Sequence, residues 1–405
     1  MDLNTQKERE TNLELHTSNF NSLLATNLFF GEECVNKNLP LIIQEQGYSK
    51  IFIATDPGIV SSGILNKVLK ILDDSSIKCE IFSEVEPNPL DVTVMKGTAI
   101  YIEENCELII ALGGGSAMDF AKGVSAVVGN GGHILDYRRG KKTLQKKCPT
   151  IIAIPTTVGT GSEVTPVSVI TDPQAKRKYI IASPYIQPQY AMVDPTLTYT
   201  LPAHIVASTG MDALVHAIES YTSNAANPFS ESFSIQAIKM LVKNLPTSYK
   251  DNEDREARAQ VHLASTLAGF AFNYGKLGIV HSCSHPMSAR YGVPHGIANA
   301  VILPYVLEFN KVTNIEKFAE IARIFDPSLK DVDEREAANQ VSKVVHRFNA
   351  QLNIPSTFSH LKIDFTHSMI AELARDAMDD VGTFPFNPRK ASLDEVVSIY
   401  QKVLI

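Results

Sequence analysis

The hydrophobic pattern of this 405-residue chain changes near residue 200, and this change constrains the fold more than any other feature. Before that point, short apolar runs alternate with stretches of helical periodicity. This alternation predicts a parallel sheet that is covered by helices on both faces. The predicted strands lie within KIFIATD (50–56), CEIFSEV (79–85), ELIIALGGG (107–115) and TIIAIPTT (150–157).

Beyond residue 200 the strand signals almost vanish and long helical periodicities follow. A chain of this length exceeds one compact core and predicts more than one domain. Capping-box spacings, Thr313 with Glu316 and Ser392 with Glu395, mark two of the predicted helix starts. The predicted helices span 204–223, 230–249, 254–272, 313–325, 333–352, 365–379 and 392–404. The predicted organisation is a flexible arm at 1–20, an α/β domain at 21–199 and an all-helical domain at 200–405.

Charge and composition argue against a nucleic-acid or membrane partner. Hydrophobic residues make up 44% of the chain and charged residues 20%, and the formal net charge is −7. The one dense basic run, between Arg138 and Lys147, includes a glycine and precedes a predicted strand. We therefore interpret it as a solvated loop. No apolar run reaches the roughly eighteen residues that a membrane-spanning helix requires.

Cysteine usage and the N-terminal sequence predict a cytoplasmic protein. The cysteines are odd in number and scattered, without a CxxC spacing, which favours reduced thiols over a disulfide framework. The first twenty residues are polar and include acidic side chains, unlike a signal or transit peptide. The arm and the large helical region favour a homodimer or a higher homo-oligomer. The cysteines are Cys34, Cys79, Cys106, Cys148 and Cys283.

Five residues in the second half have the types and the spacing of a metal site. Asp212 and His216 lie four apart in GMDALVHAIESY, and residues four apart on a helix project from the same face. His281 and His285 repeat this spacing in GIVHSCSHP, and His295 follows in VPHGIANA. One carboxylate and three imidazoles suit a divalent transition metal such as Fe²⁺ or Zn²⁺. There are five candidate residues for four metal-ligand positions, which leaves one side chain free to take part in the chemistry.

The same histidines allow other interpretations. A buried histidine is usually a hydrogen-bonded core residue, and the acid–histidine pair alone could be a helix-surface contact. The neighbours of His281, His285 and His295 are apolar or small, however, which is a poor environment for unsatisfied imidazoles and favours coordination. A zincin requires Glu directly after its first His, where this chain has Ser282, so a metalloprotease is not predicted.

A glycine-rich turn in the first half predicts binding of nucleotide phosphates. Residues 113–116 (GGGS) end the predicted strand ELIIAL and open the helix AMDFAKGVSAVV. Backbone amides and the helix N-terminus can therefore face a pyrophosphate. The turn matches neither GxGxxG nor the P-loop, and a tight turn without a ligand also uses glycines.

Two further polar segments follow predicted strands. Asp56 ends KIFIATD, where an acid can accept hydrogen bonds from a ribose and would repel a 2′-phosphate, favouring NAD over NADP. The alternative for Asp56 is a helix N-cap in Asp-Pro-Gly. The segment PTTVGTGSEVT (155–165) is predicted either to line a cofactor cleft or to form a Ser/Thr-rich turn.

Six motifs in order resemble those of the iron-type, or group III, metal-dependent alcohol dehydrogenases. They are PNP (87–89), GGGSAMDFAK (113–122), IPTTVGTGSEVT (154–165), GMDALVHAIESY (210–221), HSCSHPMSARYGVPHG (281–296) and NPR (387–389). The resemblance extends from about residue 20 to the C-terminus. It implies a Rossmann-like α/β dinucleotide-binding domain, an all-α C-terminal domain and a dehydroquinate synthase-like architecture, with the active site in the cleft between the domains.

The resemblance also implies roles for individual residues. The metal ligands are expected to be Asp212, His216, His281 and His295, which leaves His285 as the free histidine near the nicotinamide and the substrate oxygen. The expected cofactor residues are Asp56, Asn88, Gly114, Gly115, Ser116, Thr156, Thr157, Thr160 and Lys178. Val167 and Phe272 are expected to face the substrate. The expected cofactors are NAD and one divalent metal, Fe²⁺ in preference to Zn²⁺.

The implied activity is that of an NAD(P)-dependent oxidoreductase acting on CH–OH groups. It would interconvert a small primary alcohol or diol and its aldehyde by hydride transfer, with the metal as Lewis acid and His285 as a proton relay. The alternatives are a glycerol dehydrogenase-like polyol oxidoreductase and a non-catalytic nucleotide-sensing protein. Segment 379–389 is expected to border the substrate and looks longer than its usual counterpart, so an alkanol, a diol and an aldehyde with an anionic tail stay open.

Overall fold

The computed structural model describes residues 25–175 and 177–404. The arm predicted at 1–20 lies outside the described residues. Within them, an α/β half is followed by a helical half, as the change near residue 200 predicted. No described helix is long and apolar enough to cross a membrane.

The first half is built around a parallel sheet. The strands of this half are β1 (Asn27–Phe30), β2 (Lys50–Ala54), β3 (Lys78–Phe82), β4 (Leu108–Gly113), β5 (Thr150–Pro155), β6 (Val167–Asp172), β7 (Arg177–Ala182) and β8 (Tyr190–Val193). Six of these form one parallel sheet in the order β1-β8-β5-β4-β2-β3, and β6 pairs with β7 in an antiparallel hairpin. The four predicted strands are β2 to β5, which are neighbours in the sheet and include its β3 edge. The interior strand β8, the β1 edge and the hairpin were not predicted.

Helices cover both faces of this sheet. They are α1 (Cys34–Gln46), α2 (Pro57–Ser61), α3 (Ile64–Asp74), α4 (Asp91–Glu103) and α5 (Gly115–Asn130). Alternate residues of β4 face opposite layers, because side chains along a strand alternate in direction. Ile109 and Ala111 join the core cluster that includes α4 and α5, whereas Ile110 and Leu112 join the cluster that includes α1 and α3. The prediction of a sheet covered on both faces is confirmed.

The second half is helical throughout its described residues. Its helices are α6 (Ala203–Thr222), α7 (Pro228–Lys250), α8 (Arg255–Gly275), α9 (Ile279–Tyr291), α10 (His295–Asn310), α11 (Ile315–Phe325), α12 (Glu334–Asn339), α13 (Val341–Gln351), α14 (His367–Met378) and α15 (Leu393–Leu404). The helix predicted over 333–352 is two helices separated at Gln340. α9 and α10 were missing from the predicted helix ranges because each is buried on most sides, which removes the amphipathic signal; only the spacing of His281 and His285 indicated a helical turn in α9.

One of the two predicted capping boxes is wrong. α11 is capped by Asn314, whose side chain accepts from the Lys317 N–H, while the Thr313 hydroxyl donates back to the Asn310 carbonyl. The Ser392–Glu395 box is confirmed, since each side chain accepts from the other residue's backbone N–H at 3.3 and 2.9 Å.

The two halves meet along a cleft. We place the boundary between them, as a proposal, in segment 194–202, which joins β8 to α6 close to the predicted division at 199/200. The ends of β4 and β5 that carry the glycine turn and the Thr-rich segment face α6, α8 and α9 across a cavity lined by both halves. This arrangement agrees with the rule that ligands of open α/β sheets bind at the carboxyl ends of the strands.

A candidate metal and cofactor site in the cleft

Three helices bring the four predicted metal ligands together. Asp212 and His216 lie one turn apart on α6, His281 lies in the first turn of α9, and His295 begins α10. The Nε2 atoms of the three imidazoles lie 3.9, 3.9 and 3.6 Å from Oδ1 of Asp212, in that order along the chain. Ligand atoms of Asp212, His216 and His281 lie within 4.8 Å of one another. His295 completes the set from the open side, where its side chain is 35% exposed.

Burial shapes the electrostatics of this cluster. It lowers the pKa of both His281 and His295 well below the ordinary value, with a further contribution from neighbouring histidines. The two rings are therefore neutral and each retains a lone pair. Burial also raises the pKa of Asp212, so its negative charge is costly without a positive partner. A carboxylate and neutral imidazoles that share one pocket are a donor set suited to a divalent cation.

Asn299 shows that the cluster lacks positive charge. Its Nδ2 lies 2.7 Å from Oδ1 of Asp212 and 3.2 Å from Nε2 of both His281 and His295. One amide group thus serves three acceptors, while its own Oδ1 and the Nδ1 of His216 are buried without a partner among the described residues. The residues therefore fit a metal, because several acceptors share one amide and buried polar atoms are left without a partner. The sequence analysis missed Asn299, although it lies four residues after His295 on α10.

A second carboxylate holds one of the ligands in place. Oε2 of Glu219 lies 2.6 Å from Nδ1 of His281, within hydrogen-bond distance, and its Oε1 accepts from the Val280 N–H at 2.7 Å. Glu219 lies seven residues after Asp212, on the same face of α6. The contact fixes the tautomer of His281 and directs Nε2 toward Asp212, the arrangement that metal-binding histidines commonly show.

The fifth candidate, His285, has a different partner. Its Nδ1 lies 2.8 Å from Oδ2 of Asp380, in the segment 379–389. Burial works to raise the pKa of Asp380, but the hydrogen bond and charge of His285, with the Gly382 N–H, outweigh it and hold this pKa at about 2. Asp380 is therefore an acceptor and Nδ1 carries the proton, which leaves Nε2 available. His285 lines the cavity and its side chain is 37% exposed.

The glycine turn lies on the opposite wall of the cleft. Side chains of the Thr-rich segment pack directly behind it, because a Cβ on Gly114 would lie 3.0 Å from Cγ2 of Thr157 and one on Gly115 would lie 3.0 Å from Cγ2 of Thr160. Gly113 has a φ of 153°, which a side chain rarely adopts. The turn thus exposes backbone at the start of α5, a cradle that fits a pyrophosphate.

A hydrogen-bonded chain extends from this turn. The Asn88 N–H donates to Oγ of Ser116 at 3.3 Å, and Nζ of Lys178 donates to Oδ1 of Asn88 at 2.7 Å. All three residues line the cavity, as do Gly115 and Thr160. They bring a hydroxyl, an amide and a cation to the same side as the exposed backbone.

Other predicted cofactor residues lie just outside this cavity. Asp56 caps α2, accepting from the Gly58 and Ile59 N–H groups, so the N-cap alternative describes what its side chain does here. Gly114, Thr156 and Thr157 also do not line the cavity. The Thr156 hydroxyl is buried and has no hydrogen-bond partner among the described residues.

The cavity has a volume of about 630 Å³ and is lined by both halves of the chain. The two predicted substrate residues, Val167 and Phe272, line it, and Phe272 stacks on His216 with ring centroids 4.5 Å apart. Gly382, Thr383 and Phe386 of segment 379–389 also line it. The basic loop is solvated as predicted, but residues 138–142 border this same cavity, which composition did not indicate.

Comparison with known proteins defines the class. The iron-containing alcohol dehydrogenase profile matches residues 25–195, and that of the C-terminal part of the Fe-containing alcohol dehydrogenase family matches residues 206–404. The NAD-dependent methanol dehydrogenase of Bacillus methanolicus is 37% identical over 362 residues, 89% of this chain and 94% of that protein.

Solved structures agree with this result. The crystal structure of a 1,3-propanediol oxidoreductase superposes with a TM-score of 0.91 at 35% identity, covering 95% of this chain and 100% of that one. A sulfoacetaldehyde reductase from Bifidobacterium kashiwanohense, in complex with NAD⁺, gives 0.86 at 30% identity, covering 95% and 98%.

The family matches and the named relatives define the class as an oxidoreductase acting on CH–OH groups. The chain belongs to the iron-containing alcohol dehydrogenase family.

Proposed function

We propose that the protein is an NAD-dependent, metal-dependent alcohol dehydrogenase that interconverts a small aldehyde and its primary alcohol. One observation carries this proposal: the Asp212 cluster and the glycine turn open onto one cavity from opposite walls. The methanol dehydrogenase relative is named as NAD-dependent, and the related sulfoacetaldehyde reductase was solved with NAD⁺. Both support NAD here.

The proposed metal ligands are Asp212, His216, His281 and His295, with Fe²⁺ preferred because the family is described as iron-containing. When bound, the metal polarises the substrate oxygen and the nicotinamide exchanges a hydride with the substrate carbon. Asn299 contacts three of the four ligand side chains and helps to orient them.

The chain's own residues position the cofactor. In this proposal the backbone of residues 114–116 binds the pyrophosphate, with Thr156, Thr157 and Thr160 behind and beside it. Asn88 and Lys178 hold the adjoining ribose and phosphate oxygens through their hydrogen-bonded chain. Asp56 stands at the end of β2 beside Gly113, where its charge disfavours a 2′-phosphate.

His285 is the proposed proton carrier. Its Nδ1–H is held by Asp380, so Nε2 can take a proton from the substrate hydroxyl and return it in the opposite direction. Val167 and Phe272 supply apolar walls that exclude water from the reacting carbon.

The test is consumption of NADH with a panel of short aldehydes, using protein reconstituted with Fe²⁺ or Zn²⁺ in parallel. We expect turnover that depends on added metal and that prefers NADH to NADPH. Faster oxidation of glycerol than of primary alcohols would favour the polyol oxidoreductase alternative. NADH binding without turnover of any aldehyde or alcohol would reject the proposal in favour of a nucleotide-sensing protein.

We also propose that the protein is cytoplasmic and self-associates. All five thiols are free, which suits a reducing compartment. Among the described strands β1 lies at the sheet edge and exposes Leu28 and Phe30, a surface that pairing with a second copy would cover. Light scattering of the purified protein would show a monomer if this part is wrong.

A further inference from the structure

The cavity that contains the metal-ligand candidates has an excess of positive charge at its wall. Its acidic lining residues are Asp119 and Asp212; Asp212 is buried, Asp119 is partly buried, and both accept hydrogen bonds from protein donors. Its basic lining residues come from the loop at 138–142, from β7 and from the end of α8. They are Arg138, Arg139, Lys141, Lys142, Lys178 and Lys276.

Two of these cations, Arg139 and Lys276, line the same cavity and form no ion pair with an acidic side chain of the described residues. Nη1 of Arg139 donates to the Val381 carbonyl at 3.1 Å, and Nζ of Lys276 donates to the Asn273 carbonyl at 2.9 Å. Desolvation in the cleft, and then the charge of Arg139, lowers the pKa of Lys276. Like charges that approach without an anion between them are destabilising, and a bound oxyanion would reverse the sign of that interaction.

The backbone of Lys276 gives an independent indication. This residue ends α8 with φ 64° and ψ 179°, a region that is adopted almost exclusively by glycine. Glycine would fit this position without strain, yet the chain places a cationic side chain there. Strain of this kind is typical of positions that serve a site.

Lys276 and Arg139 both lie close to residues of the proposed reaction site. Lys276 lies one turn beyond Phe272, whose ring stacks on His216 of the metal cluster. Arg139 is hydrogen-bonded to Val381, next to the Asp380 that holds His285. Both cations therefore border the substrate end of the cavity, whereas the glycine turn with Asn88 and Lys178 forms the cofactor wall.

We propose that Arg139 and Lys276 bind an oxyanion at the far end of the substrate, so that the preferred substrate is a short aldehyde or primary alcohol bearing a carboxylate, sulfonate or phosphate group. This inference rests on the proposed function and specifies its substrate class. A neutral alkanol would leave the two cations unpaired.

The experiment compares aldehydes matched in backbone length, with NADH and metal-reconstituted enzyme. The pairs are 4-oxobutanoate against butanal and sulfoacetaldehyde against propanal, with a phosphate-bearing aldehyde as a third arm. We expect kcat/KM to favour at least one anionic member by about tenfold or more, and this preference to shrink as salt is added. The arm with the largest preference identifies the anion.

Variants then locate the preference. Lys276→Met and Arg139→Gln should each reduce the anionic-to-neutral ratio of kcat/KM by about 10- to 100-fold, while Lys276→Arg should keep most of it. Lys343→Met, an exposed lysine on α13 away from the cavity, is the matched control and should leave the ratio unchanged.

Three outcomes separate the explanations. If no aldehyde consumes NADH, the proposed function itself fails. If butanal and propanal are reduced as efficiently as their anionic counterparts, the alcohol dehydrogenase assignment stands and the oxyanion site is rejected. If the variants raise the KM for NADH and leave the substrate ratio unchanged, the cations serve the cofactor phosphates and the inference is overturned.

Discussion

Two histidines one turn apart on α9 each form a carboxylate–histidine pair, and the two pairs lie in different regions of the site. His281, in the deep region, and His285, at the rim, each contact a carboxylate through Nδ1, at 2.6 and 2.8 Å. The His281 side chain is 2% exposed, and its partner is Glu219 on helix α6. The His285 side chain is 37% exposed, and its partner is Asp380 on a loop.

The difference in surroundings separates the roles. Burial raises the pKa of Glu219 to about 7, despite hydrogen bonds from backbone N–H groups at the start of α9. In the deep region the histidine is fixed between helices with Nε2 3.9 Å from Asp212, which suits a ligand that must not move. At the rim, the histidine borders open cavity, which suits a group that exchanges protons. In the proposed function, local packing thus determines which carboxylate–histidine pair would hold the cation and which would carry the proton.

The largest loss of activity should follow from replacing His281, the histidine of the deep region. We expect His281→Ala to lose most bound metal and to lower kcat by roughly a thousandfold, because several kcal/mol of Lewis-acid stabilisation disappear. Metal content by elemental analysis and NADH-linked turnover measure both effects, with circular dichroism as the check on folding. Removal of the metal by a chelator should reproduce the loss in the unaltered protein. Full turnover after complete chelation would contradict the Lewis-acid role.

Replacing His285, the histidine at the rim, should lower the activity less and should not remove the metal. We expect His285→Ala to retain its metal and to lower kcat by about a hundredfold, since a positioned acid–base group is lost while the cation stays. The pH profile of kcat should flatten as well. His204→Ala, which removes an exposed histidine at the start of α6, is the control. An unchanged kcat from mildly acidic to alkaline pH would remove His285 from the proton path.

Local spacing explains which parts of the site could be predicted from the sequence. Asp212 with His216, and His281 with His285, were found because residues four apart on a helix share a face. The same rule could have found Asn299, four residues after His295, and a spacing of two turns could have found Glu219, seven residues after Asp212. It could not find Asp380, which contacts His285 across 95 residues and from a loop without periodicity. The basic loop was likewise interpreted by composition, which does not reveal that residues 138–142 border the cavity.

The fold shows the same limit. Strands β2, β4 and β5 were predicted because buried parallel strands are nearly continuous apolar runs. α10 was missed because nearly every side is buried, so that no polar stripe marks it as a helix. Tertiary burial, rather than local propensity, defines that element.

The sharpest test replaces the carboxylates of Glu219 and Asp380, one at a time, with the corresponding amides. We expect Glu219→Gln to weaken metal affinity by about 10- to 100-fold, because an amide no longer fixes His281 in the ligating tautomer. Competition with a chromophoric chelator measures this affinity without reference to turnover. At saturating metal, most of kcat should return, since His285 is untouched. Glu334→Gln, at an exposed position on α12, is the matched control.

Asp380→Asn should show the opposite pattern. Metal affinity should stay unchanged, whereas kcat should fall by about tenfold, because the ring of His285 remains but its orientation and tautomer are no longer imposed. Asp379→Asn, which alters the exposed neighbouring carboxylate, controls for the change of charge. If both amide variants lowered metal affinity equally, the two histidines would belong to one ligand set, and the division into a deep ligand and a rim proton carrier would be wrong.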